Sequence, residues 1–150
     1  MNMKKALSLF LLFLSFTLTG QQCQAYLQKI CLKPEANDFK QFIISRAALL
    51  EVNKPSLCSV VLPPNKDYMI QFCTEPNYKP LKIRLIDKER NKIIYDNSKD
   101  AFNETLNFSV KDNPITLLIE VTVNNHNEKV STDEEEQACT GFWIYFKKPS

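Results

Sequence analysis

The stretch ITLLIEVTV, residues 115–123, decides the fold that this 150-residue sequence predicts. Every odd-numbered position in it is a branched aliphatic residue, and Thr116, Glu120 and Thr122 lie between them. Successive side chains of a β-strand point to opposite faces of a sheet. The alternation therefore predicts a strand that buries one face and exposes the other.

The same alternation recurs along most of the chain beyond residue 57. The apolar residues that mark the predicted core faces are Tyr68, Ile70 and Phe72; Leu81, Ile83 and Leu85; Ile93 and Tyr95; Leu106, Phe108 and Val110; and Phe142, Ile144 and Phe146. Residues 39–52 hold two short strands or one bent strand, and the polar segment 124–136 is predicted to be a mobile loop. Short strands separated by Pro-, Asn- and Asp-rich turns predict an all-β fold, an antiparallel β-sandwich.

The N-terminus has the layout of a secretory signal peptide. Lys4 and Lys5 precede an apolar run that ends near residue 18, and small and polar residues follow. This run is shorter than the roughly 20 residues that cross a bilayer. We therefore expect residues 1–20 to be the signal peptide, with cleavage after Ala25 as the alternative.

The remaining residues, 21–150, are predicted to form a single exported domain, periplasmic or extracellular, with no membrane span. Apolar residues at helical spacing over residues 22–32 predict a short N-terminal helix, which Pro34 prevents from continuing. Removal of Lys4 and Lys5 leaves 17 basic and 17 acidic residues. A neutral surface of this kind does not favour nucleic acid as a partner.

The composition also argues against catalysis. Gly20 and Gly141 are the only glycines, so glycine-rich phosphate loops and nucleophile elbows are excluded, and no cofactor is expected. The single histidine, His126, lies in a polar loop, where it is predicted to be solvated rather than part of a catalytic triad.

Two sites built on carboxylates are alternatives to a non-enzymatic protein. A small hydrolase could use a carboxylate pair chosen from Asp87, Glu89, Asp96, Asp100 and Glu104. Because all five fall in or beside predicted turns, we expect them to bind turn backbone instead. Calcium could bind at Asp96, Asn97 and Asp100 or at residues 133–136, although neither segment has a regular ligand spacing.

Five cysteines are present, and they are Cys23, Cys31, Cys58, Cys73 and Cys139. Cys73 and Cys139 both lie opposite the core face of their strands, so we predict a disulfide between them. Cys31 and Cys58 would then tie the helix to the sandwich. Cys23 and Cys31 are about 12 Å apart along a helix, too far for a bond. No Cys-x-x-Cys spacing or histidine partner supports a metal site.

Two aromatic residues, Trp143 and Tyr145, alternate with the core residues of the last strand. They should therefore face outward from the sandwich. Exposed aromatic residues can stack on sugars or bury in a protein partner, which makes this pair a possible binding face. The alternative, which we favour, is that the N-terminal helix covers them.

The order of these features resembles a family of small exported β-sandwich proteins from Gram-negative bacteria of the Bacteroidetes type. The segments that carry the resemblance are LPPNKDYMIQFC (62–73), IRLIDKERNKIIY (83–95) and ACTG (138–141). It covers residues 58–147, and the layout is also similar to pre-peptidase C-terminal domains. The resemblance implies the fold and export, and no particular activity.

Together these observations predict an exported, disulfide-bonded, non-catalytic module that binds a protein or glycan ligand or has a structural role. The first alternative is a periplasmic or secreted protein of the inhibitor or immunity type, and the second is the carboxylate-dependent hydrolase.

Overall fold

The computed structural model describes residues 18–31, 38–42, 46–125 and 136–149. One helix, α1 (Leu18–Ile30), precedes the strands. The strands are β1 (Lys40–Gln41), β2 (Arg46–Glu51), β3 (Pro55–Leu62), β4 (Lys66–Thr74), β5 (Lys82–Asp87), β6 (Lys92–Asp96), β7 (Thr105–Val110), β8 (Ile115–Thr122) and β9 (Gln137–Lys147). Short 3-10 turns cover Pro76–Tyr78 and Asn97–Lys99.

The strands form two antiparallel sheets. The first sheet has the order β1-β9-β4-β7, with β2 also paired to β9, and the second has the order β3-β8-β5-β6. The predicted all-β sandwich with a short N-terminal helix is therefore confirmed. Residues 39–52 contain two short strands, β1 and β2, which pair with different parts of the long strand β9.

The core lies between the two sheets, where the alternation predicted it. Tyr68, Ile70, Ile83 and Ile144 are fully buried, and the odd-numbered residues of β8 from Leu117 onward are buried with them. The Tyr68 hydroxyl donates to the carbonyl oxygen of Pro63 at 2.8 Å, so the one polar atom of this ring has a partner. Burying each large apolar side chain contributes roughly 1.5–3 kcal/mol.

One predicted core residue, Ile93, lies elsewhere. A β-bulge shifts the pairing of β5 with β6, so that Leu85 pairs with Tyr95 but Ile86 pairs with Ile93. The extra residue in β6 breaks the two-residue period, and Ile93 is 47% exposed on the outer face. The prediction that Ile93 and Tyr95 share a core face was therefore wrong.

A buried asparagine connects the turn after β6 to β5. The Asn97 side chain accepts from the Ile83 amide at 2.8 Å and donates to the Leu81 carbonyl at 2.9 Å. It also donates to the Asn103 carbonyl at 3.3 Å. Asn97 is fully buried, so these bonds satisfy backbone groups that water cannot reach.

We expect Asn97→Ala to lower the free energy of unfolding by about 2–4 kcal/mol, because it leaves a buried donor and a buried acceptor without partners. Urea denaturation measures the change. Asn107→Ala, on the exposed face of β7, is the matched control and should stay within about 0.5 kcal/mol of the parent protein. Equal stability of the two variants would contradict this role for Asn97.

The disulfides differ from the predicted pairs. Cys23 bonds Cys139, with 5.3 Å between Cα atoms, and Cys31 bonds Cys73, with 6.0 Å. Cys73 lies directly opposite Gly141 in the β4–β9 register. Cys139 is therefore a diagonal neighbour, and Cα atoms in that relation are about 7–8 Å apart, too far for a disulfide.

The predicted bond between Cys31 and Cys58 is also wrong. Cys58 lies on β3 of the second sheet, whereas Cys31 follows the helix that packs on the first sheet. Cys58 is a free thiol, and its sulfur accepts a hydrogen bond from Nη1 of Arg46 at 3.3 Å.

Candidate functional site

The outer face of the first sheet is covered by α1. Trp143 is 7% exposed and packs with Leu27 and Cys73, and Tyr145 is half-buried against the same cluster. Gly141 permits this close packing, since a Cβ there would lie 2.9 Å from the Arg46 carbonyl oxygen and 3.1 Å from a methyl group of Leu27. Trp143 and Tyr145 do not form an open binding face, and the prediction that the helix covers Trp143 is confirmed.

Four of the five carboxylates considered for hydrolase chemistry, all but Glu89, bind groups in or beside turns. Asp87 is 3% exposed, and its Oδ1 accepts from the amides of Glu89 at 3.0 Å and Arg90 at 3.1 Å. Its Oδ2 pairs with the Arg90 guanidinium at 3.2 Å. These contacts hold the β5–β6 turn closed and compensate the buried charge.

Glu104 and Asp100 serve other turns in the same way. Glu104 accepts from the Leu81 amide at 3.1 Å and from Nζ of Lys79 at 3.0 Å. Asp100 accepts from the Tyr95 hydroxyl at 2.8 Å. Burial, followed by this hydrogen bond, raises the pKa of Tyr95 to about 12, so the phenol is a stable donor at neutral pH.

Asp96 caps the 3-10 turn that follows it. Its Oδ1 accepts from the Ser98 hydroxyl at 2.7 Å and from the Ser98 amide at 3.1 Å. The hydroxyl bond is the main cause that lowers the pKa of Asp96. A carboxyl group with a lowered pKa stays ionised at neutral pH, and this is unsuitable for the general acid of a hydrolase.

The proposed calcium segments do not form a site in the described ranges. Asn97 is committed to backbone groups, and Glu136 accepts from Tyr78 and Asn125, each at 2.7 Å. His126 and residues 133–135 lie outside the described residues. Across residues 18–31, 38–42, 46–125 and 136–149, no three His, Cys, Asp or Glu side chains are grouped to hold a metal ion.

A cleft of about 1080 Å³ lies between the edge strands β6 and β7. Ile94 and Tyr95 line it from β6, and every residue of β7 lines it from the other side. Asp100 and Lys111 are among the charged residues that line it. The cleft thus combines apolar surface with polar groups of both signs, as ligand sites do.

The free edge of β7 contributes backbone groups to this cleft. The Phe72 amide donates to the Glu104 carbonyl at 2.8 Å. In the β4–β7 register, this bond shows that the even-numbered residues of the two strands form the hydrogen bonds between them. Residues 106, 108 and 110 therefore bond β4, and the backbone groups of residues 105, 107 and 109 point away from it. The Thr105 amide donates to Oδ1 of Asn103 at 3.0 Å. The amides and carbonyls of Asn107 and Ser109 have no backbone partner within the described part of the chain.

The sequence predicted the strands on both sides of the cleft but not the cleft itself. Whether a strand lies at an edge depends on the order of strands in space. Asn107 and Ser109 alternate with core residues like the outward positions of any other strand. No local signal separated them from the outward residues of the central strand β4.

Comparisons with known proteins give little beyond the fold. No family model matches the sequence, and no curated protein matches it either. A solved structure with a related shape is the crystal structure of Aeromonas hydrophila PliG, a periplasmic lysozyme inhibitor of g-type lysozyme. The two chains are 10% identical, the match covers 78% of this chain and 93% of that one, and the TM-score is 0.45. No helix in the described ranges is long and apolar enough to span a membrane.

Proposed function

We propose that this chain is an exported, non-catalytic binding module whose partner is a polypeptide segment held in the cleft between β6 and β7. The observation that carries the proposal is the free edge of β7, where the backbone groups of Asn107 and Ser109 face the cleft. An extended peptide can pair with such an edge, and side-chain pockets beside it supply specificity.

Export is supported by the covalent structure. Two disulfides join the helix to the first sheet, and such bonds persist in oxidising compartments. The bond from Cys23 to Cys139 needs Cys23 in the mature chain. Cleavage after Gly20 retains Cys23, whereas cleavage after Ala25 would remove it, so we propose Gln21 as the mature N-terminus.

The absence of catalysis is proposed because four of the five candidate carboxylates already have structural partners. Asp87 and Asp96 bind turn backbone, and Glu104 binds a backbone amide and a lysine. An inhibitor or immunity-type protein is a special case of a polypeptide binder and fits the same site. Kinship with small exported sandwich proteins of the Bacteroidetes type is part of this proposal and rests on the sequence segments quoted above.

A random peptide library displayed on phage tests the proposal, with the mature protein as bait. We expect selected peptides to bind the parent protein and Asn107→Ala equally. Asn107→Pro should weaken binding at least tenfold, about 1.4 kcal/mol, because proline removes the amide that faces the cleft. The fold should tolerate proline there, since that amide makes no bond within the sheet and edge strands accept proline at such positions.

Two outcomes would overturn the proposal. Selected peptides that bind Asn107→Pro as tightly as the parent protein would show that the β7 edge is not used. Glycans that bind on an array, with no peptide selected, would replace the polypeptide by a sugar ligand. The inhibitor alternative further predicts that Asn107→Pro loses inhibition of any enzyme that the parent protein inhibits, and g-type lysozyme is one enzyme to assay.

A further inference from the structure

A second edge strand, β3, resembles β7 in having, within the described residues, none of the usual protection against pairing with another chain. Natural edge strands avoid pairing with other chains through charges, bulges, prolines or short length. β1 has two residues, β2 carries Arg46 and Glu51, and β6 has a bulge and Lys92. β3 has eight residues, PSLCSVVL, with no charged side chain and with proline only at its first position.

The hydrogen-bonding pattern of β8 shows which backbone amides and carbonyls of β3 have no partner in the sheet. The Lys88 amide donates to the Thr116 carbonyl at 3.0 Å, so the even-numbered residues of β8 bond β5 and the odd-numbered ones bond β3. Through the β3–β8 register, residues 56, 58, 60 and 62 of β3 take those bonds. The amides and carbonyls of Leu57, Ser59 and Val61 therefore point to the open side.

The side chains at these three positions make the edge self-complementary. Leu57 is 63% exposed and Val61 is 52% exposed, and the small Ser59 lies midway between them. An antiparallel pair of β3 strands with Ser59 opposite Ser59 places Leu57 opposite Val61 on both sides of a twofold axis. All three opposed pairs then consist of residues with free backbone groups, which gives six hydrogen bonds between chains.

We propose that β3 pairs with β3 of a second copy of this chain about a twofold axis at Ser59, forming one continuous eight-stranded sheet. The arrangement is isologous, because the same patch serves both copies. The outer face of this sheet also continues across the joint. In each copy a row of cross-strand neighbours leads from Ser59 through Leu118 and Ile86 to Ile93. The twofold axis joins the two rows at Ser59.

The register also keeps charges of the same sign apart where the two copies meet. Glu120 lies beside Leu57 in each copy, so the two Glu120 carboxylates stand at opposite ends of the paired strands. Lys54 precedes β3, and the register sets it opposite residue 64 of the second copy. That residue lies next to the β7–β8 turn, because the Asn65 amide donates to the Lys111 carbonyl at 2.8 Å. This turn contains Lys111 and Asp112, and Lys54 pairs with Glu51 of its own copy, so neither end of the paired strands gathers charges of one sign.

The size of the contact predicts a weak dimer. A stable interface buries roughly 1,200–2,000 Å² in total, and pairing of one short strand from each copy falls below this range. We therefore expect reversible association with a dissociation constant on the order of micromolar to hundreds of micromolar. Sedimentation velocity over a concentration series of the mature protein measures it.

A pair of matched variants locates the contact. Val61→Lys and Ile93→Lys both place a charge on the outer face of the second sheet, at its two opposite edges, from similarly exposed positions. Val61→Lys should weaken dimerisation at least tenfold, and Ile93→Lys should leave it within twofold. A parent protein that stays monomeric at the highest soluble concentration would overturn the proposal. Equal weakening by both variants would also overturn it, in favour of face-to-face packing.

The register has its own test, which depends on a gain of cross-linking. In a Cys58→Ser background, Ser59→Cys should form a disulfide between copies under mild oxidation, since opposed Cα atoms in a hydrogen-bonded pair are about 5.5 Å apart. The native Cys58 should not cross-link, because it lies opposite residue 60 of the second copy and its side chain points between the sheets. A cross-link through the native Cys58 would overturn the register centred on Ser59.

Discussion

Replacing Cys23 and Cys139 together by serine should lower the free energy of unfolding by about 4 kcal/mol. The two residues are 116 positions apart, and closing a loop of that order restricts the unfolded chain by roughly 4–5 kcal/mol on the chain-entropy model. The loss should be visible as a lower midpoint in urea and a melting temperature reduced by roughly 8–16 °C, at about 2–4 °C per kcal/mol.

The matched control is Cys58→Ser, since Cys58 is the one cysteine in no disulfide. It should change stability by about 0.5–1 kcal/mol at most, through the contact of its sulfur with Arg46. Peptide mapping without reduction gives an independent check. It should recover Cys23 joined to Cys139 and Cys31 joined to Cys73. Recovery of a Cys73–Cys139 peptide would contradict the disulfides described here.

The cysteine pairing could be predicted from the sequence only in part. The alternation correctly placed Cys73 and Cys139 on the outer face of one sheet. It could not give the register between β4 and β9, which sets Cys73 opposite Gly141. The helical spacing correctly excluded a bond between Cys23 and Cys31. The same separation of about 12 Å lets the two helix cysteines each reach a different strand.

The strands themselves could be predicted because one buried face imposes a period of two. Tyr68, Ile70 and Phe72 satisfied that pattern, and all three are core residues. The pattern failed at Ile93, where a bulge adds one residue to β6. Which strands lie at the edges of the two sheets could not be predicted from the sequence. The β7 cleft and the unprotected β3 edge both follow from strand order, which arises from contacts between residues far apart in the sequence.

Shortening Leu27 to alanine should open a cavity between the helix and the sheet and expose Trp143. Leu27 is fully buried and packs against Trp143 and Cys73, with one methyl group close to Gly141. Truncating a buried leucine to alanine removes about 2–5 kcal/mol of stability, because the lost contacts add to a cavity that neighbours fill only in part. The disulfides hold the helix near its middle, at Cys23, and just past its C-terminal end, at Cys31, so the cavity cannot close by a large movement of α1.

The readout is specific, because Trp143 is the only tryptophan in the chain. Its fluorescence in the parent protein should be blue-shifted, and Leu27→Ala should move it to longer wavelength while the core between the sheets stays folded. Ile30→Ala is the matched control on the same helix, since Ile30 is 39% exposed, and it should change neither fluorescence nor stability by more than about 0.5 kcal/mol. Identical behaviour of the two variants, or a solvent-exposed tryptophan in the parent protein, would refute the role given to α1. The expected difference instead makes α1 a covalently fixed cover of the first sheet, and it leaves the strand edges as the surfaces open to partners.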